Sequence, residues 1–270
     1  MDPFGAYKAL QRQVWPNFAP LEGLTIPAAA QLVLHARIQP GQRVVDLACG
    51  TGVVAVTAAR LGAKVTALDL TPELLVRARE NAAIANVDVD FHEGDVEKLP
   101  FADAAFDVVL SQFGHMFAPR PAVAIGEMLR VLKPGGTIAF STWPPEHAMG
   151  RVFRLISGYM PPPPVPVAPP PQWGDEKIVR ERLGDAVSDI KFQRESMNVA
   201  ALSLHHYREM FERTAGPMIQ LVQTLSASDE PYRSVLPGTS RSATCPAIGR
   251  RLKPRSKPPR SDEFAVNLGR

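Results

Sequence analysis

The sequence predicts an α/β protein with a mainly parallel sheet flanked by helices. Between residues 43 and 143, short apolar runs alternate with longer amphipathic segments, which is typical of repeated strand–helix–strand units. A glycine-rich turn at residues 50–52 follows the first apolar run and precedes a helical segment. With 270 residues and 45% hydrophobic composition, the chain has enough apolar material to bury a core. We therefore predict an α/β core over residues 39–145 with additions on both sides.

Strands and helices alternate along this predicted core. The predicted strands are residues 44–48, 64–70, 87–92, 106–111 and 137–143, and the predicted helices are 53–61, 72–86 and 122–132. Thr71 is predicted to cap the second helix with its hydroxyl group, because Pro72 at the first helical position and acidic Glu73 follow it. The glycine- and proline-rich residues 133–136 are predicted to end the third helix in a turn.

The segments next to this core are predicted to cover the sheet or a pocket. Residues 1–38 are predicted as an N-terminal helical cap with an apolar face around Leu32 and Leu34. Residues 146–174 are predicted as a Pro-rich connector, because the tract at 161–171 favours an extended polyproline conformation over a helix or central strand. A ligand for a proline-recognising domain is the alternative for that tract.

The C-terminal part is predicted to add a strand and lid helices. Residues 175–234 contain a short helical pattern, then the alternation of a sixth strand near 189–199, then helical patterns near 204–225. The consecutive residues His205-His206-Tyr207 would point in different directions on a helix, so we interpret them as lid surface rather than a metal site.

The positive charge of the chain lies at its C-terminal end. The formal net charge is +3, and residues 237–270 hold eight Lys or Arg against two acidic residues, which leaves a net of −3 for residues 1–236. Residues 235–270 show no periodicity and are predicted to be a disordered basic tail. Because the predicted folded part has no basic face interleaved with aromatic residues, nucleic acid is not an expected partner.

Composition also argues against several other classes of protein. Cys49 and Cys245 lie far apart and show no CxxC or Cys/His spacing, so no disulfide framework or metal site is predicted, and a cytoplasmic location is expected. No run of 18 to 20 apolar residues is present, and the first residues lack a basic segment followed by an apolar one. Membrane insertion and secretion are therefore not expected. The sequence predicts no particular oligomeric state.

The glycine-rich turn predicts a nucleoside site. Residues 50–55 match G-x-G-x-x-G/A between a strand and a helix, and Asp69 follows Gly50 by nineteen residues at the end of the second strand. The glycines permit close backbone approach, the helix N-terminus presents unpaired N–H groups, and an aspartate there can accept both ribose hydroxyls. A dinucleotide and another nucleoside ligand both fit these residues.

Asp46 favours the second of these ligands. It lies inside the first predicted strand, four residues before Gly50, where a dinucleotide-binding strand is normally apolar. A buried carboxylate costs several kcal/mol unless it is paired, and a cationic amine on the ligand would pair with it.

Four segments in order carry a resemblance to a known family. They are VDLACGTG at residues 45–52, ALDLTPE at 67–73, GDVEKLPF at 94–101 and LRVLKPGG at 129–136. Together they resemble the class I S-adenosylmethionine-dependent methyltransferases over about residues 40–145. The Leu99-Pro100-Phe101 and Phe106-Asp107-Val108-Val109 runs are typical of the branch that methylates small molecules, which includes the ubiquinone/menaquinone-biosynthesis type. The resemblance implies a Rossmann-like methyltransferase fold, whose usual seventh antiparallel strand is doubtful here because residues 235–270 do not alternate.

The same resemblance implies a set of cofactor-binding residues. These would surround the methionine moiety (Asp46, Gly50, Gly52), the ribose (Asp69), the adenine (Asp95, Val96) and the methyl-transfer region (Ser111, Gln112), with Ala48 and Leu70 as further cofactor-binding residues. His115, a few residues further on, is the candidate catalytic residue, with a surface or packing role as the alternative.

The implied reaction is in-line attack of a substrate nucleophile on the sulfonium methyl of S-adenosylmethionine. The apolar additions, which include Phe153, Trp173 and Phe211, favour a small hydrophobic or aromatic methyl acceptor. A protein that binds the cofactor without turnover is the first alternative, and an NAD-dependent oxidoreductase is the second.

Overall fold

The computed structural model describes residues 4–163, 165–197, 199, 201–225 and 266–269. Its sheet contains β1 (Arg43–Leu47), β2 (Lys64–Asp69), β3 (Val89–Glu93), β4 (Phe106–Gln112), β5 (Leu132–Ser141), β6 (Ile190–Phe192) and β7 (Val266–Gly269). The strand order is β3-β2-β1-β4-β5-β7-β6, in which β1 to β5 are parallel and β7 runs antiparallel between β5 and β6. The predicted α/β class with a mainly parallel sheet is confirmed.

Helices flank this sheet and extend beyond it. They are α1 (Gly5–Val14), α2 (Glu22–His35), α3 (Val53–Arg60), α4 (Pro72–Ala85), α5 (Pro121–Val131), α6 (Ala148–Tyr159), α7 (Glu176–Leu183), α8 (Leu204–Thr214) and α9 (Gly216–Thr224). Short 3-10 turns at Trp15–Leu21, Gly114–Phe117 and Pro170–Gly174 connect some of them. Within the described ranges, no helix is both long and apolar enough to cross a membrane.

The centre of the sheet is buried on both faces. In β1, Val44, Val45 and Leu47 are fully buried, because the strand lies between β2 and β4 and helices cover both faces. Val44 belongs to the core under α3, and Val45 and Leu47 belong to the core on the other face. Parallel strands covered on both faces read as continuous apolar runs, and β1 fits this rule apart from the exposed Arg43 at its start and Asp46.

The strand order creates a crevice at the carboxyl edge of the sheet. From β1 the connections run through β2 to β3 on one side, and the chain then returns to β4 on the other side of β1. Ligands of open α/β sheets bind at such a switch point, outside the carboxyl ends of the strands. The register pairs Leu47 with Leu68 and Asp46 with Leu110, so the ends of these three strands lie together.

Three local predictions in and around the core differ from the structure. Thr71 is the N-cap of α4, but its side chain makes no capping hydrogen bond. Residues 133–136 lie within β5, where the pairing with β4 shifts from Phe106–Leu132 to Val108–Thr137. These residues therefore form an irregularity in the pairing of β5 with β4 and do not form a separate turn. Leu34 is 67% exposed because residues two apart on a helix face different directions.

The segments after β5 also differ from expectation. Residues 148–159 of the expected connector form α6, and Trp173 at its far end is fully buried. The sixth strand is limited to residues 190–192. Residues 266–269 are a strand and so differ from the expected disordered tail; the rest of 235–270 lies outside the described residues.

Candidate functional site

A cavity of about 310 Å³ lies at the carboxyl edge of the sheet. Its polar end is formed by the residues that end or follow the first four strands, among them Asp46, Gly50, Asp69, Asp95 and Gln112. Of the eleven residues named from the sequence, the cavity is lined by Asp46, Ala48, Gly50, Asp69, Leu70, Asp95, Val96 and Gln112.

The glycine-rich turn has the backbone that the motif requires. Ala48, Gly50 and Gly52 have φ angles of +53°, +55° and +76°. A Cβ on Gly52 would lie 3.0 Å from the Cβ of Ala78 in α4, so this glycine serves close packing as well as its positive φ. Gly52 does not line the cavity, so it contributes to the shape of the turn through its packing against α4.

Asp69 holds the turn against the second strand. Its Oδ2 accepts a hydrogen bond from the Gly50 N–H at 2.7 Å, and its Oδ1 accepts one from the Thr71 N–H at 2.8 Å. Burial raises the pKa of Asp69, and these N–H donors oppose the shift. Each carboxylate oxygen keeps a further lone pair, so Asp69 can still accept hydroxyl groups from a ribose.

Asp46 is a buried carboxylate with one oxygen left without a partner. The residue is 1% exposed, and its Oδ2 accepts a hydrogen bond from the Ala55 N–H at 3.0 Å. Its Oδ1 has no hydrogen-bond partner in the described part of the chain. Burial, with a smaller contribution from the charge of Asp69, raises the pKa of Asp46 well above its ordinary value of 3.8.

Gln112 contributes a second acceptor of this kind. Its Nε2 donates to the Thr25 carbonyl of α2 at 2.8 Å, which fixes the orientation of the amide. Its Oε1 is buried and lacks a partner among the residues described. Two unsatisfied acceptors on cavity-lining residues fit a ligand that brings donors, such as the ammonium group of a methionine moiety.

Residues of α1 reach the end of the cavity at Asp69 and Asp95, which we call the nucleoside end because the resemblance implies the ribose and adenine there. Lys8 Nζ lies 2.6 Å from Asp95 Oδ2, and Arg12 Nε donates to the Leu70 carbonyl at 2.9 Å. Val96 lines the cavity beside Asp95 and is partly buried. The sequence motifs contain no signal for Lys8 or Arg12, because both belong to a helix far from the motifs in sequence.

The structure places Ser111 and His115 behind the cavity wall. Neither residue lines the cavity, and both are buried. The Ser111 hydroxyl donates to the Leu47 carbonyl at 2.6 Å and lies 3.1 Å from His115 Nδ1. The His115 ring packs against Phe140 and Trp173, at centroid distances of 4.7 and 4.6 Å. Neither residue predicted for the methyl-transfer region or for catalysis therefore faces the cavity, because Ser111 alternates with Gln112 along β4 and the turn after β4 directs His115 into the core.

The buried position of His115 predicts a dependence of stability on pH. Burial, and secondarily the charge of Arg182, lower the pKa of His115 to about 3. The unfolded chain takes up a proton near 6.5 that the folded chain resists, so the contribution of His115 to stability falls as the pH decreases from 6.5 towards 3. We expect a loss of up to about 1.4 kcal/mol per pH unit.

His115→Gln should flatten this part of the stability profile, measured by urea unfolding between pH 7 and pH 4. An equally steep profile in His115→Gln would contradict the assignment.

Beyond the polar end, the cavity is lined by apolar and aromatic side chains. Phe113 and Trp143 stack at a centroid distance of 4.4 Å, and Phe117 contacts Trp15 of the N-terminal segment at 4.7 Å. Further walls come from α6, α8 and α9. Tyr207, which we interpreted as lid surface, lines this part. The sequence pattern that could have placed Tyr207 in the cavity wall is the apolar face of α8, on which Tyr207 packs against Phe211 one turn later.

Comparisons with known proteins agree with this geometry. Residues 45–140 match the family model described as a methyltransferase domain. An uncharacterized protein of Mycobacterium tuberculosis (strain H37Rv) is 39% identical over 223 residues, which cover 81% of each chain. A demethylmenaquinone methyltransferase of Renibacterium salmoninarum is 43% identical over 117 residues, which cover 43% of this chain and 47% of the relative.

The chain belongs to the class I S-adenosylmethionine-dependent methyltransferases. Its cofactor is S-adenosylmethionine.

Solved structures share the fold of this methyltransferase. The YcgJ protein of Bacillus subtilis is 19% identical with a TM-score of 0.52, covering 76% of this chain and 86% of its own. The [4+2]-cyclase SpnF is also 19% identical, with a TM-score of 0.55, covering 90% of this chain and 80% of its own. Because one of these two neighbours is named a cyclase, the fold alone does not specify the reaction.

Proposed function

We propose that this methyltransferase transfers the methyl group to a small apolar or aromatic acceptor bound in the same cavity. The observation that carries the proposal is the continuity of a polar end, with Asp46 and Asp69, and an apolar part walled by Phe113, Phe117 and Trp143. The relatives named demethylmenaquinone methyltransferases support a small acceptor. A cytoplasmic location stays a prediction from the cysteine content.

In this proposal the polar end orients the cofactor. Asp46 and Gln112 offer unpartnered acceptors to the methionine ammonium, and Asp69 accepts the ribose hydroxyls. The bound cofactor supplies a methyl group already activated by its sulfonium. An amine that pairs with Asp46 also removes the penalty of the buried charge, so ligand binding and the relief of that penalty are linked.

The apolar part aligns the acceptor and excludes water. Methyl transfer needs the nucleophile at about 3 Å from the methyl carbon and in line with the leaving sulfur. Tyr207 is the titratable group among the described residues that line the apolar part, while His115 lies behind the wall. We propose that alignment and desolvation carry the reaction, without proton removal by His115.

The same geometry disfavours a dinucleotide. The diphosphate of NAD would approach the glycine-rich turn, where Asp46 and Asp69 are buried and Oδ1 of Asp46 lacks a partner. Anionic oxygens next to carboxylates and unsatisfied acceptors are repelled.

The test combines ligand binding with methyl transfer. The full chain is titrated calorimetrically with S-adenosylmethionine and with NAD, and then incubated with methyl-labelled S-adenosylmethionine and solvent-fractionated metabolite extracts. Demethylmenaquinone is included as a defined acceptor. We expect binding of S-adenosylmethionine alone and label in a low-molecular-weight apolar fraction. Label only in polar metabolites or nucleic acid, or binding without transfer to any fraction, would overturn the acceptor assignment.

A further inference from the structure

We infer that Lys8 of α1 is a positioning residue of the cofactor site that acts through Asp95. The inference rests on the proposed placement of the adenine beside Asp95. Lys8 Nζ lies 2.6 Å from Asp95 Oδ2 and 2.6 Å from Glu97 Oε2, and its side chain is 13% exposed. Lys8 lies outside residues 45–140, which match the family model.

The ammonium group is held between two carboxylates that are themselves fixed. The Glu97 side chain is fully buried, and its Oε1 accepts a hydrogen bond from the Arg120 N–H at 2.6 Å. Its Oε2, which also accepts from Lys8, lies 2.7 Å from Arg120 Nη2. A buried charge pair held by several hydrogen bonds has a defined geometry, so Lys8 Nζ is a fixed point beside Asp95.

Asp95 therefore receives one bond on each carboxylate oxygen. Its Oδ1 accepts from the Glu97 N–H at 2.9 Å, and its Oδ2 accepts from Lys8. These bonds hold the carboxylate plane, while each oxygen keeps a lone pair for the exocyclic amine of adenine. Without Lys8, Oδ2 would lose its protein partner among the described residues, and the carboxylate could rotate away from the amine.

A second cation on the same helix supports this arrangement. Arg12 lies one turn after Lys8, on the same face of α1, and it pairs with Glu93 and the Leu70 carbonyl. Each of these partners ends or follows β2 or β3 at the nucleoside end of the cavity. The face of α1 is thus aligned with the adenine and ribose positions and not with the apolar part.

The test measures selectivity for adenine. S-adenosylhomocysteine and its deaminated analogue S-inosylhomocysteine, which carries a ring carbonyl in place of the amine, are titrated calorimetrically into the full chain. We expect the wild type to prefer the adenine compound about 10- to 100-fold, as for a hydrogen bond to a charged group. Lys8→Met should reduce this ratio at least about threefold, and Lys8→Arg should restore most of it. In an Asp95→Asn background, Lys8→Met should change the ratio no further.

Lys64→Met is the matched control, because Lys64 begins β2 at the opposite edge of the sheet. It should leave both affinities unchanged. If Lys8→Met weakens both ligands equally, Lys8 only fastens the helix and the inference is wrong. If the wild type shows no preference for adenine, the proposed placement of the cofactor at Asp95 fails instead. Thermal unfolding of each variant verifies that the folded state is retained.

Discussion

Asp46→Asn is expected to stabilise the ligand-free protein at neutral pH and to weaken S-adenosylmethionine binding about 10- to 100-fold. The carboxylate is buried, and its Oδ1 has no partner in the described structure. Removing the charge relieves a desolvation cost on the order of 1–3 kcal/mol. The same change removes the anion proposed to pair with the ligand ammonium, so the two effects have opposite signs.

The pH dependence of this gain has a defined direction. Because the pKa of Asp46 is raised above 3.8, the folded chain keeps a proton that the unfolded chain has lost. The wild type is therefore penalised as the pH rises from 3.8 through the raised pKa, and Asn carries no such penalty. The advantage of Asp46→Asn should vanish below about pH 3.8 and reach its full size above the raised pKa.

The measurements are urea unfolding against pH and calorimetric titration with the cofactor. Asp103→Asn is the control, since the Asp103 side chain is 80% exposed and does not line the cavity. We expect it to change stability by less than about 0.5 kcal/mol. An Asp46→Asn variant that keeps wild-type affinity would refute the ammonium site.

Gly114→Ala should destabilise the protein by about 3 kcal/mol and weaken cofactor binding as well. A Cβ at this position would lie 2.5 Å from both the Cβ and the carbonyl oxygen of Ala48. Ala48 already has a φ of +53° and cannot retreat without moving the glycine-rich turn. At about 2–4 °C per kcal/mol, the melting temperature should fall by about 6–12 °C.

Gly126→Ala is the matched control for this substitution. Gly126 lies inside α5, and a Cβ there would meet nothing within 4 Å. Because alanine favours helix over glycine, we expect a gain of about 0.5–1 kcal/mol with unchanged affinity. If both variants melt together with the wild type, the contact between Gly114 and Ala48 is not tight in solution.

Much of the polar end could be predicted because its signals are local in sequence. A strand, a glycine turn and a helix lie within residues 43–60, and the turn places Gly50 next to Asp69 wherever β1 and β2 are adjacent and parallel. Asp46 was identifiable because a carboxylate inside an apolar strand needs a partner. The helices at residues 204–225 were predicted from periodicity alone.

The sequence by itself thus determined the fold class, the family and the residues of the glycine-rich turn. Only the tertiary structure decided which side chains near the strand ends line the cavity. His115 and Gln112 are three residues apart, yet the turn after β4 buries the first and leaves the second at the cavity. Lys8 and Tyr207 join the cavity from distant helices. The physical reason is that strand order and helix packing, unlike a turn or a cap, depend on contacts between residues far apart in the chain.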